Sequence, residues 1–144
     1  MSDGLTLRLT RMLPASRLAV WKAVTDSDEL AGWWGPKGFA VPSVEFEPRL
    51  GGRYRIAMQP PEGDLFHLHG EFRAVDPPFA LSYTFVWDPP NPDDRETLVT
   101  LSLADRGEET EVALTQGEFA TEERLALHDG GWTESFEKLA ELLR

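Results

Sequence analysis

Thr121-Glu122-Glu123-Arg124-Leu125-Ala126-Leu127-His128-Asp129-Gly130-Gly131-Trp132-Thr133-Glu134-Ser135-Phe136-Glu137-Lys138-Leu139-Ala140-Glu141-Leu142-Leu143-Arg144 is the stretch that decides the fold. Leu125, His128, Trp132, Phe136, Leu139 and Leu143 recur at steps of three and four residues and so share one stripe of a helix. Glu122, Glu134, Glu137, Lys138 and Glu141 lie largely off that stripe. Thr121 is placed to cap the helix, with Glu123 and Arg124 in its first turn. Gly130-Gly131 is the anomaly, because two interior glycines cost a helix about 2 kcal/mol relative to alanine. The expected offset is close approach: a backbone without Cβ atoms can lie against another element while Trp132 fills the adjacent space.

Upstream of this helix the pattern changes period. Leu5, Leu7 and Leu9 alternate with polar residues as in a half-buried strand. Pro14 then opens a helix carrying Leu18, Val20, Trp21 and Val24, and Ser27 or Asp28 caps a second short one through Leu30 and Trp33. Gly35-Pro36-Lys37-Gly38 ends it. From Phe39 on, about six strands follow: around Val44 and Phe46; Tyr54, Ile56 and Met58; Phe66 to Ala74; Leu81 to Trp87; and a hairpin of Thr97–Leu103 with Glu111–Gln116. Gly51-Gly52, Pro77-Pro78, the proline-rich Asp88–Asp94 and Asp105-Arg106-Gly107 supply the turns. No linker or repeat interrupts the chain, so residues 1–144 read as one domain.

The order predicts an α+β fold. An antiparallel sheet of this length has one apolar face to cover, and only the C-terminal helix is long enough to cover it. The sheet must curl around that helix, which leaves a space between them near the two small helices.

Composition narrows the function. A net charge of -11 argues against nucleic acid and anionic membrane surfaces as partners. The absence of cysteine removes disulfides, thiol nucleophiles and Cys-rich metal sites. Met1-Ser2-Asp3-Gly4 lacks the features of a secretory leader, and no apolar run is long enough to span a membrane, which together predict a cytoplasmic protein. An exposed edge strand leaves monomer and homodimer both open.

Several short motifs then align in order. Val20-Trp21-Lys22-Ala23-Val24-Thr25, Trp33-Trp34-Gly35-Pro36, Gly51-Gly52-Arg53-Tyr54, Gly70-Glu71-Phe72-Arg73, Pro77-Pro78 and Gly131-Trp132 are the set. In this the chain resembles the START-like, or SRPBCC, superfamily of Bet v 1-like helix-grip proteins. More narrowly, it resembles activators of the 90-kDa heat-shock-protein ATPase in their bacterial stand-alone form. The resemblance implies a cavity between sheet and helix for small apolar or amphipathic molecules, and it implies no particular reaction. One departure is Thr115-Gln116, where relatives often carry His after the Thr; glutamine cannot transfer protons near neutral pH.

The residues themselves offer little catalytic machinery. His67, His69 and Glu71 share a strand face, but His67 and Glu71 are about 13 Å apart along an extended strand, too far to share one ion. His128 lies on the apolar stripe one turn before Trp132, where it could contact a ligand or act as a base. Ser43, Ser82, Ser102 and Ser135 sit in no nucleophile motif, and Gly51-Gly52 has neither the spacing nor the Lys of a phosphate loop. No catalytic residue, metal ligand or cofactor is assigned. The aromatics Trp33, Trp34, Phe39, Tyr54, Tyr83, Phe85, Trp87, Trp132 and Phe136 suit a mostly apolar pocket, with Tyr54, Tyr83, Gln116 and His128 as polar handles. The leading expectation is non-catalytic binding of a small hydrophobic or aromatic molecule. The alternatives are an interaction protein that modulates a chaperone ATPase, and a polyketide cyclase or dehydratase using His128 with a Tyr.

Overall fold

The computed structural model describes residues 5–144, so the reading of Met1–Gly4 lies outside the described residues. The chain runs β1 (Leu5–Leu13), α1 (Arg17–Thr25), α2 (Ser27–Ala31), β2 (Ala40–Phe46), β3 (Arg53–Gln59), β4 (Phe66–Asp76), β5 (Ala80–Asp88), β6 (Thr97–Arg106), β7 (Glu109–Phe119) and α3 (Glu122–Leu143). The strands form one antiparallel sheet in the order β1-β7-β6-β5-β4-β3-β2. Strands β2 to β7 are a continuous meander, and β1 joins its far edge through β7. The segment holding α1 and α2 therefore carries the chain from one edge of the sheet to the other. The sheet curves around α3, as the one-face argument requires.

Alternation within the strands decides what is buried. Tyr54, Ile56 and Met58 of β3, Leu68 and Phe72 of β4, and Val99, Leu101 and Leu103 of β6 all point into the core. On α3 the buried residues are His128, Trp132, Ser135, Phe136 and Leu139; of the expected stripe, Leu125 and Leu143 are only half-buried against the core, and Ser135 is added. The Thr121 hydroxyl accepts the N–H of Arg124 at 3.1 Å, capping α3 as the sequence indicates. Among the described residues, no helix is long and apolar enough to cross a membrane.

Three local expectations are corrected. Helix α1 starts after Ser16, whose hydroxyl accepts the N–H of Ala19, so Pro14 precedes the helix instead of opening it. Leu18 is 71% exposed because α1 buries the side carrying Val20, Ala23 and Val24. Asp26, not Ser27 or Asp28, caps α2 by accepting the N–H of Asp28 at 2.9 Å, and α2 ends at Ala31, before Trp33.

The larger correction concerns Gly130-Gly131. A Cβ on Gly130 would have nothing within 4 Å, and one on Gly131 would meet only the ring of Pro36, at an ordinary 3.8 Å. Close approach does not explain them. Glycines that do admit close approach are Gly52, where a Cβ would lie 2.1 Å from the Glu47 carbonyl, Gly70 in β4, and Gly117 in β7, where it would lie 2.7 Å from the Thr6 hydroxyl. Gly131 borders the cavity described below, so its missing side chain leaves open volume. Gly130 faces outward in regular helix. Gly130→Ala is expected to stabilise the protein by about 1 kcal/mol, the helix-propensity difference, as a rise in the urea midpoint. A lower midpoint would mean that Gly130 has a role beyond the helix.

Candidate functional site

Where α3 crosses the sheet, its N-terminal half stands off from β3, β4 and β5, and a cavity of about 410 Å³ opens between them. Trp34, Phe39, Phe85, Trp87, His128 and Trp132, all expected from the sequence, line it. Trp34 is the central wall. Its ring meets Trp132 edge-on at 5.1 Å between centroids and stacks near Phe85 at 6.4 Å. The segment holding Trp34 is pinned to α3 by polar contacts. Lys138 Nζ donates to the carbonyls of Trp34 and Pro36 at 3.3 and 3.4 Å, Glu134 accepts the Lys37 N–H at 2.8 Å, and Lys37 pairs with Glu137 at 2.7 Å.

The other expected residues lie behind this wall. Trp33 is fully buried, and its indole N–H donates to the Ala23 carbonyl at 2.9 Å, which fixes α1 to the start of the loop. Phe136 packs against Trp33, at 6.3 Å between centroids. Tyr54 and Tyr83 belong to a separate aromatic cluster with Phe46 and Phe72. Burial pushes both phenols well above their ordinary range, so both stay protonated at neutral pH. Gln116 is wholly buried: its Oε1 accepts the Trp132 indole N–H at 2.8 Å and its Nε2 donates to Thr97 Oγ1 at 2.9 Å. It holds the cavity wall from behind.

The structure adds lining residues that sequence reasoning missed. Met58 and Phe66 contribute apolar surface, Leu65 and Leu127 stand half-exposed where the cavity meets solvent, and Asp64, Asn91, Arg124 and Ser135 bring polar groups. Arg124 had a usable signal, since it lies four residues before His128 on the same helix face. Its guanidinium pairs with Asp94 at 2.6 Å, with only 17% and 5% of the two side chains exposed. Asp94 also accepts the Asn91 N–H at 2.7 Å, so this ion pair ties the β5–β6 loop to α3.

His128 sits between these two halves. Its Nε2 accepts the indole N–H of Trp87 at 3.1 Å, and the ring packs on Phe85 and Phe119. Burial, followed by the Arg124 charge, pushes its pKa down to about 4, with Asp94 opposing. The imidazole is therefore neutral at pH 7, and the lone pair a base would use is already engaged. The unfolded chain binds this proton near the ordinary 6.5 and the folded chain only near 4, so the unfolded state holds more protons in between. Stability contributed by neutral His128 is thus present above about pH 6.5 and is lost as pH falls toward 4, by about 2–3 kcal/mol. Urea unfolding at pH 7 and 4.5 should show this loss, and His128→Phe should flatten it. An equally steep decline in the variant would assign the acid sensitivity elsewhere.

Other chemistry is thin. Ser135 Oγ donates to the Gly131 carbonyl at 2.9 Å and has no base beside it. Glu71 pairs with Arg73 at 3.3 Å, while His67 and His69 stand opposite Ala57 and Arg55 of β3. Among the described residues, no three His, Cys, Asp or Glu side chains are grouped to hold a metal ion.

A curved antiparallel sheet gripping a C-terminal helix, with two short helices after the first strand, defines a START-like helix-grip protein. The chain belongs to the family of Activator of Hsp90 ATPase homolog 1-like proteins, whose model matches residues 14–144. Among solved structures it is similar to the AHSA1 protein of Silicibacter pomeroyi, with 31% identity, a TM-score of 0.84 and 96% of each chain covered. It is also similar to a protein of Rhodobacter sphaeroides, at 28% identity and a TM-score of 0.83, covering 99% of this chain and 95% of the other. A protein of Chromobacterium violaceum shares 26% identity with a TM-score of 0.84 over 96% of both chains. No curated protein matches the sequence.

Proposed function

We propose that the protein binds a small hydrophobic or amphipathic molecule in the cavity between the sheet and α3, without covalent chemistry. The observation that carries this reading is a space of about 410 Å³ walled mainly by Trp34, Phe39, Met58, Phe66, Phe85 and Trp132. That volume falls at the small-ligand end of the range for such pockets. The reading of a cyclase or dehydratase loses support from the same geometry. Both tyrosines lie outside the cavity lining, and the Nε2 of His128 is occupied by Trp87.

Trp34, Trp87 and Trp132 all line the space, so an occupant should perturb tryptophan emission as well as raise the melting temperature. The test is a thermal-shift screen of apolar and aromatic compounds, with fluorescence titration of each hit. If no class stabilises the protein or alters its emission, the reading fails. The family description favours a second reading, an interaction with the Hsp90 chaperone that changes its ATPase rate. Mixing the two proteins decides it: no binding and no change in rate would remove it.

A further inference from the structure

The apolar walls constrain the size of an occupant, so the chemistry must be read from the polar groups. Ser135 spends its hydroxyl hydrogen on the Gly131 carbonyl, and Asp64 and Asn91 are exposed to solvent. The charge of Arg124 is already balanced by Asp94, and its Nε is sealed from solvent without a partner. His128 differs from all of them. Because Nε2 accepts the Trp87 N–H, the neutral ring must carry its own proton on Nδ1. Among the described residues Nδ1 has no hydrogen-bond partner. A mostly buried imidazole that lines the cavity thus carries an N–H that no group among the described residues receives.

Building on the reading of this cavity as a ligand site, we propose that its occupant is an uncharged, largely apolar molecule bearing a carbonyl-type oxygen that accepts the Nδ1–H of His128. An anion would meet no free positive charge, because Arg124 is committed to Asp94, and it would face Asp64 at the cavity edge. A cation could not accept the Nδ1–H of His128 and would gain nothing from it. A plain hydrocarbon would fill the space but strip water from the Nδ1–H without replacing the hydrogen bond.

Three probes with one ring system separate these cases: methyl naphthyl ketone, ethylnaphthalene and naphthoate, titrated calorimetrically into the full chain at pH 7. The ketone should bind about tenfold tighter than the hydrocarbon, the value of one net hydrogen bond, and the carboxylate should bind most weakly. His128→Phe should erase the ketone's advantage while the hydrocarbon still binds. Nitrogen-resolved NMR of the unaltered protein provides an independent readout, in which the ketone but not the hydrocarbon should shift the His128 Nδ1–H resonance. Equal affinity for ketone and hydrocarbon would overturn the carbonyl assignment and leave the cavity reading standing. Tightest binding of the carboxylate would overturn it in favour of Arg124 as a headgroup site. If none of the three binds, the cavity reading falls and this proposal falls with it.

Discussion

Gly70→Ala should destabilise the protein by about 4–5 kcal/mol, the range reserved for substitutions that the structure cannot absorb. Gly70 lies on β4 directly opposite Tyr54 of β3. The Tyr54 ring crosses over it, and its hydroxyl donates to the Thr84 carbonyl of β5 at 2.6 Å. A Cβ at this position would sit 1.9 Å from that carbonyl oxygen and 2.6 Å from the tyrosine ring. The first contact is with backbone, so no rotamer change relieves it, and three strands must move apart together. Overpacking and loss of the buried hydrogen bond act in the same direction. Urea unfolding gives the comparison, with Tyr54→Phe as the companion that deletes only the hydroxyl and should cost about 1–2 kcal/mol. A loss below about 1 kcal/mol for Gly70→Ala would show that the strands are not packed at this distance.

This result bears on what the sequence discloses. Gly70 is visible as one residue of a strand motif, but nothing in its alternation says that the tyrosine opposite it on the neighbouring strand leans across it. Period-two and period-3.6 patterns are local, and they were enough for the element order, the sheet with one apolar face and the stripe on α3. The cavity is a relation between elements. Trp33 and Trp34 are neighbours of the same type in the chain, yet one anchors α1 and the other forms the cavity wall. The Arg124–Asp94 pair joins residues thirty positions apart, with a proline-rich loop holding one of them. The glycines in α3 mislead for a related reason. Propensity flags the cost of Gly130-Gly131 correctly, but only the neighbours show that open space, not contact, lies beside them.

Gln116→Leu is the second large loss expected, about 3–4 kcal/mol, although the two side chains have similar volume. Gln116 is one of the few buried polar residues and uses both ends of its amide, accepting from the Trp132 indole and donating to Thr97. Leucine leaves the indole N–H unpaired inside the core, and stranded donors of that kind cost about 1–3 kcal/mol each. The Thr97 hydroxyl, also buried, loses its donor at the same time. Adding Thr97→Val should recover part of the loss, because it removes one of the two stranded groups; simple addition of the two single effects would show that they are not coupled. A functional consequence follows from the position of Trp132. Its ring forms one side of the cavity while its N–H is held by Gln116 behind, so releasing that bond lets the wall turn. Gln116→Leu should therefore weaken binding of any cavity ligand as well as lower the urea midpoint, whereas Thr97→Val alone should affect only stability. Unchanged ligand affinity in Gln116→Leu would mean that packing by Trp34 and Phe136, not the amide, sets the position of Trp132.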